Sequence, residues 1–252
     1  MHGGAETVPR RKAKLFGDWR EFTREFVIIV LGVLTALLAQ SAVEAMSWRE
    51  KVRAAMQDMD QELSTGNGPQ AYVRLSIHQC LADRLRKLRL FIESGDRGAV
   101  ITAIDGVQLP VRNYNDAARE AANSADITAH MPSDRKYGYR IVYALTPEMN
   151  SLHQKELEDL AALRSLPESG GPMDAQEKRA ILAAVENLRL DNDRMKRAAI
   201  FTLRRMRDIG IGLDRPQATR NFADLTAYRN CLTTDMKPML KFTPLAGGGP
   251  QT

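Results

Sequence analysis

The longest run of apolar residues in the chain lies close to its start, over residues 26–43. This run contains no charged residue, and its polar interruptions are Thr35, Gln40 and Ser41. A helix needs about 17–25 residues to cross a bilayer, so the run is at the lower limit of that range. Because backbone groups in lipid must be hydrogen-bonded within the segment, the run is predicted to be a transmembrane helix.

Aromatic residues flank the apolar run on both sides. Trp19 and Phe22 precede it, and Trp48 follows it. A helix between the two tryptophans would measure about 43 Å, and a bilayer with its headgroups is about 40–45 Å thick. Aromatic side chains gather at the two membrane surfaces, so these three residues are predicted to be membrane-interface anchors.

Two other interpretations of the run remain open. A cleaved signal peptide needs a small-x-small site, which Ala39-Gln40-Ser41 supplies, and a core helix of a soluble protein can have a similar composition. The segment before the run, however, is long, extends from Met1 to Glu25 and contains four acidic residues, and the run continues beyond the candidate cleavage site. Because neither feature is typical of a signal peptide, a retained signal-anchor is preferred.

The distribution of basic residues predicts the orientation of this anchor. Six basic residues lie between Glu6 and Glu25, and three (Arg49, Lys51 and Arg53) follow the run over a comparable length. Lys and Arg are enriched on the cytoplasmic side of membrane spans. Residues 1–25 are therefore expected to be cytoplasmic, in a bacterial inner membrane, with the remainder of the chain in the periplasm.

Helical periodicity continues beyond the apolar run. Apolar residues recur at a spacing of three or four from Ala45 to Leu63, which predicts a helical stalk over residues 44–65. The apolar stripe of this stalk either pairs in a short coiled coil or packs on the chain's own domain. The turn signal Gly66-Asn67-Gly68-Pro69 predicts the end of the helix.

The rest of the chain shows helical periodicity between turn signals. Residues 99–111 are ambiguous between a strand and a helical turn, Pro147 is expected to kink or break a helix, and Asp174 with Glu177 forms a capping box. Helices are predicted over residues 70–93, 115–130, 133–163, 174–209 and 221–236. The fold class is all-α: a transmembrane helix and stalk, an elongated antiparallel helical bundle over residues 66–242, and a disordered tail over residues 243–252.

Composition narrows the class of protein. Of the 252 residues, 27% are charged, too many for a polytopic membrane protein, and 44% are hydrophobic, too many for a disordered chain. The 209 residues after the span contain 30 basic and 27 acidic residues, a small net charge of +3. Since DNA is also absent from the periplasm, no nucleic-acid partner is expected. The basic cluster Arg194–Arg207 is interpreted as a solvated face, or as a contact for anionic lipid or an acidic partner.

The two cysteines, Cys80 and Cys231, are candidates for a disulfide. In an oxidising periplasm, two lone cysteines of one domain are natural partners. The bond would close a loop of about 150 residues, which stabilises by roughly 5 kcal/mol in chain-entropy models. The alternative is two unrelated buried thiols.

Aromatic and polar residues concentrate around one turn of the predicted bundle. They could line a pocket for a ligand or a partner, or they could be packing at a corner of the bundle. The candidate pocket residues are Arg112, Tyr114, His130, Tyr137 and Arg140.

No motif nominates a catalytic residue, a metal site or a cofactor. The chain lacks HExxH, G-x-S-x-G, P-loop and G-x-G-x-x-G patterns. His78 and Cys80 point about 200° apart on a helix, so they cannot chelate one metal together. We therefore expect no catalytic residues, no metal and no cofactor.

The anchor region resembles a group of uncharacterised bacterial single-pass membrane proteins. The similarity rests on Glu25-Phe26-Val27, on Leu31-Gly32-Val33-Leu34-Thr35-Ala36-Leu37, and on Trp48-Arg49 followed by a charged helix. It covers residues 1–90 well and the rest loosely. The resemblance implies one N-terminal anchor helix and a helical extracytoplasmic domain; the group has no assigned activity, so it implies no catalytic residue.

These observations favour a membrane-anchored interaction or scaffold protein without catalytic activity. Its partners would be the lipid bilayer and a protein partner or a second copy of the chain. A sensor-like ligand-binding bundle that signals through a separate partner is the alternative, and an enzyme with an unrecognised site is a third interpretation. The sequence identifies neither ligand nor partner.

Overall fold

The computed structural model describes residues 19–110, 113–166, 171–223 and Tyr228. Among these residues the secondary structure is helical throughout and contains no strand, which confirms the all-α prediction. The chain divides into two compact units, with the boundary between Glu50 and Lys51.

The helices follow one another with short connections. In chain order they are α1 (Trp19–Gln61), a π-helical turn (Glu62–Asn67), α2 (Gly68–Ser94), α3 (Arg97–Asp105), α4 (Ala117–Ser124), a 3₁₀ turn (Ile127–His130), α5 (Ser133–Tyr143), α6 (Thr146–Arg164), α7 (Ala175–Asp208) and α8 (Arg215–Ala223).

The predicted stop at Gly66–Pro69 is wrong, because the chain passes through it as a π-helical turn. Pro69 lacks an N–H group and crowds the carbonyl four residues earlier in a regular α-helix. Here the turn is wider, and the Gly68 N–H donates to the Leu63 carbonyl, five residues back. Pro69 then lies in the first turn of α2, where proline is tolerated. A Cβ atom on Gly68 would lie 2.6 Å from Cε of Met206, so glycine permits close packing on α7.

Most other helix boundaries follow their predicted signals. Asp96 caps α3 by accepting a hydrogen bond from the Ala99 N–H, so the ambiguous stretch is helical. The predicted break at Pro147 is confirmed, since α5 ends at Tyr143 and α6 begins at Thr146. The capping box of Asp174 and Glu177 is also confirmed.

Two predicted helices differ from the structure. The helix expected over 115–130 forms α4 and then a 3₁₀ turn, separated by Asp126 with a left-handed φ of 55°. Asn115 stays outside α4 because the side chain of Asn67 bonds both its N–H and its carbonyl, at 2.8 and 2.6 Å. The last helix begins at Arg215 instead of 221, because Asp214 accepts a hydrogen bond from the Gln217 N–H. The predicted tail, residues 243–252, lies outside the described residues.

α2 and α7 form the centre of the second unit and run antiparallel. Contacts pair Gly68 with Met206, His78 with Asp193, and Gly95 with Lys178. The predicted apolar face of α2 is confirmed: Val73, Ile77, Leu81, Leu85, Leu88 and Ile92 are all buried.

Three apolar clusters follow one another along these helices. The first contains most of α2, from Val73 to Ile92, and the beginning of α7, with Leu160 and Leu163 of α6 and Tyr228. The second packs Met149 and Leu152 of α6 against the middle of α7. The third joins the end of α1 to α5 and to the end of α7.

The predicted stalk over residues 44–65 extends too far. Ala55, Met59 and Leu63 are buried against Tyr139, Val142, Tyr143 and Met206 in the third cluster. From Ala55 to Leu63 the apolar stripe of this segment therefore packs on its own domain, which is one of the two interpretations offered by the sequence.

Candidate functional site

The N-terminal helix α1 contains the candidate membrane span. Within the described residues it is the one helix long and apolar enough to cross a membrane. Every side chain from residue 26 to residue 43 is exposed. The hydroxyls of Thr35 and Ser41 donate to carbonyls one turn earlier, those of Leu31 and Leu37, at 2.8 and 2.9 Å. The two hydroxyl groups of the span are thus bonded within the helix, as a lipid environment requires.

The predicted interface anchors lie at the ends of this segment. Trp19 and Phe22 are exposed, with ring centroids 6.1 Å apart, and Phe22 also stacks on Phe26. Trp48 is half-buried. The aromatic rings of Trp19 and Phe22 are therefore more exposed than the ring of Trp48.

A layer of buried polar residues lies among α2, α6 and α7. α2, α6 and α7 each contribute two members at the same level of the bundle. They are Arg74, His78, His153, Glu156, Asp191 and Asn192, all buried.

The centre of this layer is an ion pair between Arg74 and Glu156. Their side chains are 3% and 0% exposed, and Nη2 of Arg74 donates to Oε1 of Glu156. The other atoms are less well satisfied: Nε and Nη1 of Arg74, Oε2 of Glu156 and Nε2 of His153 have no hydrogen-bond partner among the described residues. Buried charges of this kind are costly unless paired and hydrogen-bonded, so the pair is the least satisfied polar feature of the described domain.

A small cavity lies beside Arg74. Its volume is about 20 Å³. Its lining includes Gln70, Arg74, Tyr114 and His153, each with a polar atom that has no partner among the described residues. Since a water molecule needs roughly 10–15 Å³ and two or more polar partners, this cavity suits one or two waters.

The predicted pocket is wrong as a single site. Tyr114 is buried, 5% exposed, and lines the cavity with residues of α2 and α6. Tyr137 and Arg140 lie on the exposed side of α5, with the guanidinium 5.3 Å from the ring centroid. His130 is exposed, and Arg112 lies outside the described residues. The physical reason is helical geometry: residues 137 and 140 face solvent because 138, 139, 142 and 143 face the core.

Burial affects the chemistry of Tyr114. Its hydroxyl has no partner among the described residues, and its removal from water raises its pKa well above the usual range, with a smaller opposing effect of Arg74. The phenol is therefore a neutral donor or acceptor for whatever lies in the cavity.

The other α2 member of the layer, His78, connects α2 to α7. Its Nε2 lies 3.0 Å from Oδ1 of Asp193, and Nδ2 of Asn192 donates to its carbonyl at 3.0 Å. The hydrogen bond from His78 lowers the pKa of Asp193. These contacts fix the register of the two central helices.

A second polar cluster joins the end of α1 to α5. Nη2 of Arg135 donates to both oxygens of Asp60 at 3.0 and 2.8 Å, and the Tyr139 hydroxyl donates to the same carboxylate at 2.5 Å. One turn along, the Tyr143 hydroxyl donates to Glu62 at 2.8 Å. Burial and then this bond raise the pKa of Tyr143. The cluster holds the last turns of α1 in the domain.

Cys80 is half-buried beside the first apolar cluster and is disulfide-bonded. Cys231 lies outside the described residues, so the Cys80–Cys231 pairing stays a prediction. Tyr228, three residues before Cys231, is buried in the first cluster; its ring lies 4.8 Å from the guanidinium of Arg84, and its hydroxyl donates to the Gln108 carbonyl at 2.6 Å. Arg84 is one turn beyond Cys80 on α2, so Tyr228 lies close to the part of α2 that contains Cys80.

In comparisons with known proteins, no protein-family model, no curated protein and no solved structure matches the chain. The class of protein is therefore defined by its own fold and site: an all-α protein with one candidate membrane span near its N-terminus and a helical domain with a central polar layer, as far as the described residues extend.

Proposed function

We propose that this chain is a membrane-anchored helical interaction protein without catalytic activity. Residues 26–43 span the inner membrane of a bacterium, the N-terminus is cytoplasmic, and the domain from Lys51 onward lies in the periplasm. There it binds a protein partner or supports a membrane complex.

One observation carries this proposal. The exposed apolar segment is part of helix α1, and the same helix contributes Ala55 and Met59 to the core of the domain. Helix α1 thus contains both the candidate span and residues of the domain core. An architecture of this kind suits a protein that holds a binding domain close to a membrane.

Two further observations support the orientation. Basic residues are twice as frequent before the span as after it, six against three, which favours a cytoplasmic N-terminus. Cys80 is disulfide-bonded, and structural disulfides persist in oxidising compartments such as the periplasm.

The cavity beside Arg74 is much smaller than a site for an organic ligand. Sites for small organic ligands measure about 300–1,000 Å³. The cavity beside Arg74 measures about 20 Å³. Binding of a macromolecule therefore has to use the surface of the domain.

Purification of the tagged full chain from its native membrane in mild detergent tests the proposal. We expect a defined complex, containing a partner protein or a second copy of the chain, by size-exclusion chromatography with light scattering and by mass spectrometry. An untagged strain controls for background. A clean monomer that carries no partner would contradict the interaction function.

A sensor-like function is the second candidate, because Tyr114, Arg74 and His153 present polar atoms without a hydrogen-bond partner among the described residues to the cavity. The cavity admits only water-sized ligands or ions unless the bundle opens. A thermal-shift screen with small ligands would support this function if a ligand raises Tm for the natural chain and not for Tyr114→Phe. Arg140→Ala is the control, since Arg140 lies on the exposed side of α5.

A further inference from the structure

One face of α7 is exposed to solvent along the second half of the helix. Leu190, Arg194, Arg197, Phe201 and Arg204 recur at a spacing of three or four, so they share this face. We call these five residues the α7 stripe. From its first to its last residue it extends over about 21 Å of helix.

The α7 stripe contains positive charges that the described part of the domain does not neutralise. Arg89 of α2 pairs with Glu93 at 2.9 Å, and Arg194, at one end of the stripe, pairs with Asp191 at 3.0 Å. Arg197 and Arg204, by contrast, have no ion pair and no hydrogen bond among the described residues. The centre of the stripe therefore has two guanidinium groups whose donors are available to a partner.

Apolar surface lies between these charges. Phe201 is 38% exposed, and it lies between Arg197 and Arg204 in the stripe. The guanidinium of Arg205 lies 5.1 Å from the centroid of its ring. Leu190, at the beginning of the stripe, is 42% exposed. Aromatic residues, Phe among them, and arginines are enriched in protein–protein interfaces.

Stabilisation of α7 by its own dipole does not explain these charges. Basic residues favour the C-terminal end of a helix, but the effect is confined to the last turn. Arg205 and Arg207 are in the last turn of α7. Arg197 is about three turns before the end, where the dipole does not favour a cation.

We propose that the α7 stripe binds an acidic segment of a partner protein. Arg197 and Arg204 each take a carboxylate, and Phe201 takes an apolar side chain between them. The two carboxylates must be about 10 Å apart, because two turns of helix separate the two arginines. This inference rests on the proposed interaction function and names the chemistry of the partner.

A protein segment fits the stripe better than a lipid surface does. A helix that lies on a membrane buries a continuous apolar face in the lipid. In the α7 stripe the two apolar residues, Leu190 and Phe201, are separated by about 16 Å of helix and by two arginines. In contrast, separated arginines can each form a bidentate pair with a carboxylate of a protein segment.

Photocrosslinking in living cells tests whether a partner protein binds the α7 stripe. The full chain carries Phe201→p-benzoylphenylalanine in the stripe, and a second chain carries Arg189→p-benzoylphenylalanine on another exposed face of α7. We expect a protein crosslink from position 201 and none above background from position 189. Mass spectrometry should map it to a segment with net negative charge.

Charge reversal then tests the mechanism. Arg197→Glu with Arg204→Glu should reduce the crosslink at least about tenfold, since each carboxylate of the partner then faces a like charge. Arg89→Glu with Arg189→Glu makes the same change in net charge at two exposed arginines that already have carboxylate partners, and should leave the crosslink intact. Circular dichroism should show an unchanged helical fold for both double variants.

An independent measurement uses purified full chain in detergent and a fluorescein-labelled poly-glutamate peptide. Fluorescence anisotropy should show salt-dependent binding that the Arg197→Glu/Arg204→Glu variant loses.

Three outcomes would overturn the inference: a crosslink to lipid only, a crosslink to a segment without net negative charge, or a crosslink that survives charge reversal of the stripe. If a partner co-purifies with the chain but does not crosslink at position 201, the interaction function stands and the α7 stripe is the wrong surface. If no partner co-purifies and no crosslink forms, both proposals fail.

Discussion

The buried ion pair of Arg74 and Glu156 allows a sharp test of how the domain is stabilised. Glu156→Gln keeps the shape of the side chain and removes its charge, which leaves the guanidinium of Arg74 buried without a counter-ion. Arg74→Met leaves the carboxylate of Glu156 without its partner. The double variant Arg74→Met/Glu156→Leu replaces both charges by apolar groups of similar volume.

The expected changes in the free energy of unfolding follow from the burial of the two side chains. Both side chains are essentially inaccessible, at 3% and 0% exposure. Removal of one partner of a buried pair costs about 3–5 kcal/mol, because the remaining charge is uncompensated. A domain has only about 5–15 kcal/mol of stability in total, so each single variant should lose a large part of it. Replacement of both partners by apolar groups is commonly neutral or stabilising, by up to about 4 kcal/mol.

Urea unfolding of the full chain in detergent, followed by circular dichroism, measures these values. The double variant should be more stable than either single variant, with a coupling energy of at least about 3 kcal/mol. Water in the neighbouring cavity would hydrate Arg74, and the loss of stability in the single variants would then be close to 3 kcal/mol, the lower end of the range of about 3–5 kcal/mol. Single variants that cost less than about 1 kcal/mol, or effects that simply add in the double variant, would refute the description of this pair as buried and coupled.

Three further predictions concern packing, the disulfide and pH. Gly138→Ala should destabilise the domain by about 1–3 kcal/mol in urea unfolding, because the new Cβ would collide with Cγ2 of Ile209, whereas Gly66→Ala has free space and should not destabilise. Cys80→Ser, or reduction of the natural chain, should lower the free energy of unfolding by roughly 5 kcal/mol if the bond closes the predicted loop; an unchanged Tm under reductant would contradict this. Burial raises the pKa of Tyr143, so above about pH 10 the unfolded chain loses this proton while the folded chain keeps it. Stability should then fall by up to about 1.4 kcal/mol per pH unit, and Tm measured over the alkaline range should fall less steeply for Tyr143→Phe.

The helices can be predicted from the sequence because their signals are local. The apolar stripe of α2, the capping box at Asp174 and the break before Pro147 each depend on residues a few positions apart. The turn at Gly66–Pro69 departs from its local signal because its outcome depends on Met206, which packs on Gly68 from a distant part of the chain. A local stop signal cannot show that a distant helix packs there.

The polar layer also depends on contacts between distant parts of the chain, so it cannot be predicted from local sequence. The apolar stripe of α6 has a gap between Leu152 and Leu160, and Glu156 lies in that gap. α7 has a similar gap between Leu188 and Met195, which contains Asp191 and Asn192. These gaps are the signal that could find the layer. The partner of each polar residue, however, lies on another helix, so the pattern alone does not distinguish a buried pair from a solvated face.

The candidate pocket residues are close in sequence, but the structure does not bring them together in one site. Tyrosines 137, 139 and 143 are close in sequence, but helical geometry separates them, with Tyr137 57% exposed and the other two buried. Proximity in sequence therefore overestimates how many of these side chains share a site. Tyr114 lines a cavity, but with residues of α2 and α6 that the sequence pattern does not nominate.

In the proposed topology, the chain crosses the inner membrane and its domain lies in the periplasm. The most direct measurement adds protease to spheroplasts that contain the full chain, and maps modification of Cys80 with and without reductant. We expect the domain to be digested while the N-terminal segment is protected, and Cys80 to react only after reduction. A protected domain with a freely reactive Cys80 thiol would place it in the cytoplasm, and the orientation, the disulfide and the periplasmic partner would all be contradicted.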